Sequence, residues 1–163
     1  MATSTSEATA DLCDRLGSEA RVCLTPFVSY GGRRQAMGRI ACVRVDEDAG
    51  PVRRMLAQEG HGRVLIVDGA GSRRVALLGE RMARLALGNG WAGVVIHGAI
   101  RDAWSLAGID LTVFALGSVP RRAESGRAVD DNEAPVTFGG VTFAAGEWAC
   151  LDGDGLIVVR EIG

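Results

Sequence analysis

Two buried-strand patterns flank one helical pattern in the middle of the chain. Residues 63–68 and 93–97 are nearly continuous apolar runs, as in strands that are covered on both faces. Between them, residues 75–87 carry apolar side chains at helical spacing, and Gly-Asn-Gly at 88–90 ends the helix. Two strands joined by a helix pair in parallel, with a right-handed crossover. The unit therefore predicts an α/β fold with a parallel βαβ core.

The segments before this unit predict two helices and a strand. Residues 7–16 predict a short helix with Thr9 as its N-terminal cap. Residues 36–45 alternate in polarity and carry β-branched side chains, which predicts a strand. Residues 51–58 have helical periodicity with a proline in the first turn, where its missing N–H costs nothing.

The C-terminal part of the chain predicts mostly β-structure. Residues 111–116 are apolar enough for a strand, and the charged, Gly- and Ser-containing stretch 120–132 predicts an exposed loop. Residues 136–143 place Gly-Gly between two Val-Thr-Phe triplets, which indicates a β-hairpin, and a Gly-rich turn leads into a strand at 156–159. Since no repeat or linker interrupts the chain, residues 1–163 are predicted to form a single domain.

Composition narrows the possible partners and the location. The formal net charge is -2, from 18 Lys and Arg against 20 Asp and Glu, which argues against direct binding of nucleic acid. No apolar run approaches the roughly 20 residues that cross a bilayer, so no membrane association is predicted. Residues 1–10 also lack the apolar core of a signal peptide, and a cytoplasmic location is expected.

Cysteine and histidine spacing gives no metal or redox motif. No two cysteines are separated by two residues, and His97 lies inside a predicted strand, where a packed or pocket-lining role is favoured over that of a base. Buried, reduced thiols are the expected state. The cysteines are Cys13, Cys23, Cys42 and Cys150.

Polar residues follow both predicted parallel strands. Asp68 ends one strand, Arg101 and Asp102 follow the next, and a helix begins near Gly79 and Glu80. Open parallel sheets bind ligands at the carboxyl ends of their strands, where helix amides also point. Arginine beside such amides suits a small carboxylate or keto acid, and a carboxylate suits Mg²⁺ with its waters. An ordinary ion pair in a loop is the alternative explanation of the Arg-Asp pair.

Several of these segments resemble one known family along nearly the whole chain. It comprises the regulator of ribonuclease activity A and the class II 4-hydroxy-4-methyl-2-oxoglutarate aldolases. The resemblance implies a layered β/β/α swivelling fold and assembly as homotrimers or dimers of trimers. The segments that carry it are 30–33, 62–72, 76–80, 90–102, 136–143 and 152–158.

The same resemblance implies an aldolase site that also decarboxylates oxaloacetate. Arg101 would bind the keto acid and stabilise its enolate, Glu80 would share the catalytic work, and Asp102 would anchor Mg²⁺ or Mn²⁺. Because Glu80 stands where the family usually has Asp, weak activity is expected. The residues whose backbone would cradle the substrate carboxylate are Gly79, Glu80, Arg81 and Met82.

A regulatory role is the alternative function within this family. In it, the protein would bind ribonuclease E without a metal and inhibit RNA processing without touching RNA. The regulator best associated with that role lacks the Asp that follows the Arg, so Asp102 favours the aldolase. A methyltransferase label also occurs in the family, but no Gly-rich S-adenosylmethionine motif follows a first strand in this chain.

Overall fold

The computed structural model describes residues 7–126 and 133–163. The predicted loop at 120–132 therefore lies partly outside the described residues. The helices are α1 (Thr9–Leu16), α2 (Gly50–Leu56), α3 (Glu80–Gly88) and α4 (Ala103–Leu106). The strands are β1 (Arg21–Cys23), β2 (Val28–Ser29), β3 (Ala36–Arg44), β4 (Val64–Asp68), β5 (Gly93–Ile100), β6 (Thr112–Ser118), β7 (Val136–Phe138), β8 (Val141–Phe143), β9 (Trp148–Asp152) and β10 (Gly155–Val159).

Four parallel strands form the centre of the fold. β3, β4, β5 and β6 are neighbours in that order, and β2 adds an antiparallel edge to β6. The unit β4–α3–β5 is the predicted parallel βαβ core, which is thereby confirmed. Its strands are buried on both faces, because every residue of β4 except the last is buried.

The long strand β3 connects this parallel layer to an antiparallel one. Its first residues, 36–39, pair with β9, and its later residues, 40–44, pair with β4. β9, β10 and β1 continue the antiparallel part, and the hairpin β7–β8 forms a separate two-stranded sheet. Apolar side chains of this β-rich part pack against the parallel strands in one cluster that includes Ile66, Val95, Phe143 and Leu151.

Helices cover the other face of the parallel strands. Residues of α2 and α3 join alternate residues of β4 and β5, such as Leu65 and Ile96, in a second cluster. The order of layers is therefore β, β and α, and the predicted fold class is confirmed. Among the described residues, no helix is long and apolar enough to cross a membrane.

The prediction that Thr9 caps α1 is wrong. Ala8 is the N-cap residue, and Thr9 is the first residue of the helix. The Thr9 side chain is buried, and its hydroxyl donates a hydrogen bond to Asp152 Oδ1 at 2.7 Å while its N–H donates to Oδ2 at 2.8 Å. A distant carboxylate thus caps the helix, and local sequence rules contain no information about such a partner.

The predicted helix at 75–87 begins later than expected. Residues 76–78 are extended beside the end of β5, with the Leu77 N–H donating to Ala99 O and the Arg101 N–H donating to Leu78 O, both at 2.9 Å. β5 correspondingly runs three residues beyond the predicted end, to Ile100. Leu77 and Leu78 are buried in this extended form, so core packing outweighs helical periodicity here. The start of α3 is thereby placed against the end of β5.

Candidate functional site

The candidate site lies where the start of α3 meets the loop after β5. Gly79 is the N-cap residue of α3, and Asp102 is the N-cap residue of the short helix α4. The hydrogen bond from the Arg101 N–H to Leu78 O holds the two segments together. Gly79 and the first residues of α3 therefore lie beside the two residues that follow β5, at the carboxyl end of the sheet.

Asp102 joins the two helix starts through its side chain. Its Oδ2 accepts a hydrogen bond from the backbone N–H of Glu80 at 2.9 Å. The Asp102 backbone is left-handed, with φ 60° and ψ 39°, a conformation that Asp and Asn tolerate better than most residues. The carboxylate thus satisfies one of the amides that a helix start leaves without an intrahelical acceptor.

Gly79 leaves the space that this arrangement needs. A Cβ atom at position 79 would lie 2.8 Å from Asp102 Oδ2 and 3.3 Å from Arg101 Cγ. The backbone of Gly79 has φ −137°, which any residue can adopt. The constraint on this glycine is therefore contact with the two neighbouring side chains and not backbone conformation.

The side chain of Arg101 lies beside the start of α3. Its Nε is 3.4 Å from the position that a Cβ of residue 79 would occupy, and the residue is half-buried. Within the described part of the chain, its guanidinium has no ion-pair or hydrogen-bond partner. The N–H groups at the start of α3 point to the same region. A planar cation and free amides together can bind a carboxylate.

Glu80 places its side chain along the surface of α3. Its Oε1 accepts hydrogen bonds from Nε and Nη2 of Arg84, both at 3.2 Å. Arg84 is absent from the predicted site, although its four-residue spacing from Glu80 on a helix is a sequence signal for this contact. The side chain of Glu80 is 39% exposed, so one face of its carboxylate remains open to solvent.

Asp68 makes its contacts away from Arg101 and Asp102. Its Oδ1 accepts from the Ala70 N–H at 2.9 Å and lies 3.5 Å from His97 Nδ1. The His97 ring stacks on Phe138, with 4.4 Å between ring centroids. Asp68 therefore helps to hold the turn after β4, and His97 is a packed residue.

The donors at the site suit a cation that keeps most of its waters. In residues 7–126 and 133–163, no group of three or more His, Cys, Asp or Glu could hold a metal ion. Asp102 is exposed, and its Oδ1 accepts no hydrogen bond from a described residue. Mg²⁺ commonly binds to one or two carboxylates and retains several waters. Asp102 fits that kind of site and does not fit a closed site made only of protein ligands.

Comparisons with known proteins agree with the resemblance. The family model described as "RraA-like: Aldolase/RraA" matches residues 9–158. Two curated relatives share the name "Putative 4-hydroxy-4-methyl-2-oxoglutarate aldolase". The one from Laribacter hongkongensis (strain HLHK9) is 45% identical over 91% of this chain and 93% of its own length. The one from Xanthomonas campestris pv. campestris (strain 8004) is 47% identical over 92% of this chain and 89% of its own length.

Two solved structures with the same fold are described by activities other than that of an aldolase. A crystal structure described as an S-adenosylmethionine:2-dimethylmenaquinone methyltransferase from Geobacillus kaustophilus HTA426 is 43% identical, with TM-score 0.92 over 95% of this chain and 96% of its own. The RNA-processing inhibitor RraA from Thermus thermophilis is 39% identical, with TM-score 0.90 over 96% of this chain and 94% of its own. The chain belongs to the RraA-like family of aldolase and RraA proteins.

Proposed function

We propose that the protein is a divalent-metal-dependent class II aldolase that cleaves 4-hydroxy-4-methyl-2-oxoglutarate into two molecules of pyruvate and also decarboxylates oxaloacetate. The observation that carries the proposal is the Arg101 guanidinium beside the amides at the start of α3, without a partner among the described residues and with Asp102 adjacent. The names of the curated relatives support the carbon–carbon lyase class.

Arg101 and the start of α3 bind the keto-acid end of the substrate. The guanidinium donates to the carboxylate, and its positive charge stabilises the negative charge that develops on the enolate. The backbone N–H groups of Arg81 and Met82 donate to the same carboxylate, since the Glu80 N–H is already occupied by Asp102. Gly79 keeps this surface open because it has no side chain.

Asp102 is the residue that would hold the divalent cation, through Oδ1, which accepts no hydrogen bond from the described residues. When bound there, Mg²⁺ or Mn²⁺ supplies Lewis-acid polarisation of the substrate's carbonyl oxygen. The hydrogen bond from the Glu80 N–H to Oδ2 orients the carboxylate, as partners of metal ligands commonly do.

Glu80 is the proton acceptor in the aldol cleavage. It accepts the proton of the substrate's 4-hydroxyl group, directly or through one water, as the bond between carbons 3 and 4 breaks. One pyruvate leaves with a new carbonyl group, and the other three carbons form an enolate. This enolate takes the proton back from Glu80 at carbon 3, directly or through one water, and becomes the second pyruvate. In oxaloacetate, loss of CO₂ breaks the corresponding bond and leaves the same enolate.

We further propose that the subunits assemble as homotrimers or dimers of trimers. The site is open in the single chain, where Trp104, two residues after Asp102, is 94% exposed. A large exposed aromatic side chain commonly marks a contact surface. Light scattering coupled to size-exclusion chromatography tests the assembly, and a monomer at micromolar concentration would contradict it.

The test of the activity is pyruvate release by purified protein from each substrate, with Mg²⁺ or Mn²⁺ and then with excess EDTA. Turnover above free metal that EDTA abolishes is expected. Arg101→Lys should lower kcat/KM by at least about tenfold, because an ammonium group cannot replace a planar fork. Turnover equal to that of free metal would overturn the proposal.

A second candidate function follows from the likeness to the RNA-processing inhibitor of Thermus thermophilis. In that case the chain would bind ribonuclease E and reduce RNA cleavage without a metal. Inhibition of ribonuclease E that persists in EDTA, together with absent lyase turnover, would favour this function.

A further inference from the structure

We infer that Arg84 is a positioning residue for Glu80, which keeps one carboxylate oxygen of Glu80 occupied and directs the other toward the substrate. The inference rests on the proposed lyase function and adds to it a residue outside the predicted site. It is carried by the contact between the two side chains on the surface of α3.

The geometry of the contact leaves Glu80 with one available oxygen. Nε and Nη2 of Arg84 both lie 3.2 Å from the same atom, Oε1. Oε2 has no hydrogen-bond donor among the described residues. Both donors converge on one oxygen, so the guanidinium holds the Oε1 side of the carboxylate against the next turn of the helix. Oε2 is therefore the oxygen that is left available to the substrate.

Arg84 also keeps the start of α3 available for an anion. A Glu in the first turn of a helix is attracted to the free amides there, which is the surface that the substrate carboxylate needs. The contact with Arg84 draws the Glu80 side chain toward the next turn of the helix. The guanidinium also offsets a negative charge that would otherwise repel an anionic keto acid.

The side chains of Arg84 and Glu80 are exposed, so a positioning role and a structural role predict different effects on stability. The side chain of Arg84 is 61% exposed and that of Glu80 is 39% exposed. Exposed ion pairs on a helix contribute little to the stability of a fold. Loss of Arg84 should therefore change catalysis and leave the melting temperature close to that of the parent protein.

The test compares the kcat and KM of pyruvate release for the parent, Arg84→Ala, Arg84→Gln and Arg84→Lys. Arg53→Ala on α2 is the control, since it also removes an exposed helix arginine. Arg84→Ala and Arg84→Gln should lose at least about tenfold, mainly in kcat. Arg84→Lys should recover part of the loss, because its ammonium group can still contact Oε1.

A double-mutant cycle shows whether Arg84 acts through Glu80. In the Glu80→Gln background, the added Arg84→Ala change should leave kcat unaltered. Suppose that the parent protein is active and that the kcat values of Arg84→Ala and Arg84→Gln equal that of Arg53→Ala. That result would overturn the role of Arg84 and leave the lyase function standing. The role of Arg84 would also be overturned if the Glu80→Gln and Arg84→Ala changes lowered kcat independently, so that their factors multiply in the double variant. A parent without turnover above free metal overturns the lyase function itself, and the role of Arg84 with it.

Discussion

Asp102 Oδ2 accepts a hydrogen bond from the backbone N–H of Glu80 at 2.9 Å, although the two residues are 22 positions apart in the chain. This contact ties the loop after β5 to the start of α3. The side chain proposed to hold a metal is therefore also a cap for the helix proposed to bind substrate. Substitutions that alter one role and keep the other can separate the two.

Asp102→Asn should abolish metal-dependent turnover and leave the fold intact. The amide oxygen of Asn can still accept from the Glu80 N–H, and Asn tolerates the left-handed backbone at this position. Asp102→Ala should lose turnover as well. Its free energy of unfolding should fall by about 2 kcal/mol, because Ala has no acceptor for the Glu80 N–H and tolerates the left-handed backbone poorly. Steady-state kinetics and urea unfolding measure the two effects. Full turnover in Asp102→Asn would assign Asp102 a structural role alone.

Gly79→Ala should lower kcat/KM by about 10²-fold, because the new methyl group would displace Asp102 and Arg101 from the start of α3. Gly88→Ala is the matched control, since a Cβ at that position of the same helix contacts nothing within 4 Å. The control should keep activity and gain a few tenths of a kcal/mol in stability. Equal activity of both variants would show that the close contact at Gly79 is unimportant for catalysis.

Asp152 should make the free energy of unfolding change with pH in the acid range. Burial opposes ionisation of Asp152, but hydrogen bonds from Thr9, Asp154 and Gly155 outweigh it and lower the pKa of the carboxyl group below its ordinary value of 3.8. The carboxylate therefore stabilises the folded state above about pH 4, and this contribution is lost as the pH falls toward the lowered pKa.

Asp152→Asn should accordingly destabilise the protein by about 1–3 kcal/mol at pH 7 and by progressively less below pH 4. Urea unfolding at a series of pH values measures this difference. Asp154→Asn is the control, since only the backbone N–H of that residue joins the cluster. A difference between variant and parent that does not change with pH would contradict the assigned role of the carboxylate.

Two buried cysteines should resist alkylation in the folded protein. Burial raises the pKa of the Cys42 thiol to about 12 and that of Cys150 to about 11, so few thiolates form at pH 8. Cys13 is partly exposed and should react first with iodoacetamide. Peptide mass spectrometry before and after urea unfolding locates the labels. Rapid labelling of Cys42 in the native protein would contradict its burial.

The local pattern of the sequence determined the βαβ core and the hairpin, whereas the order of the layers was implied by the resemblance to a known family. Apolar runs in β4 and β5 predict strands buried on both faces, and Gly-Gly between matching triplets predicts the turn of β7–β8. These features depend on neighbours along the chain, so residue type and spacing are sufficient to identify them. Positions 79, 80, 101 and 102 were found from the sequence pattern and positions 81 and 82 from the resemblance. The roles of all six stay predictions until the variants are measured.

Only the tertiary structure decided which distant groups pair. Thr9 binds Asp152 across 143 positions, and residues 76–78 extend beside β5 because burial of Leu77 and Leu78 outweighs their helical spacing. The hydrogen bond between Asp102 and the Glu80 N–H exists because the parallel sheet brings two loops to one edge. Such contacts depend on the packing of the whole chain, and periodicity within one segment contains no information about them.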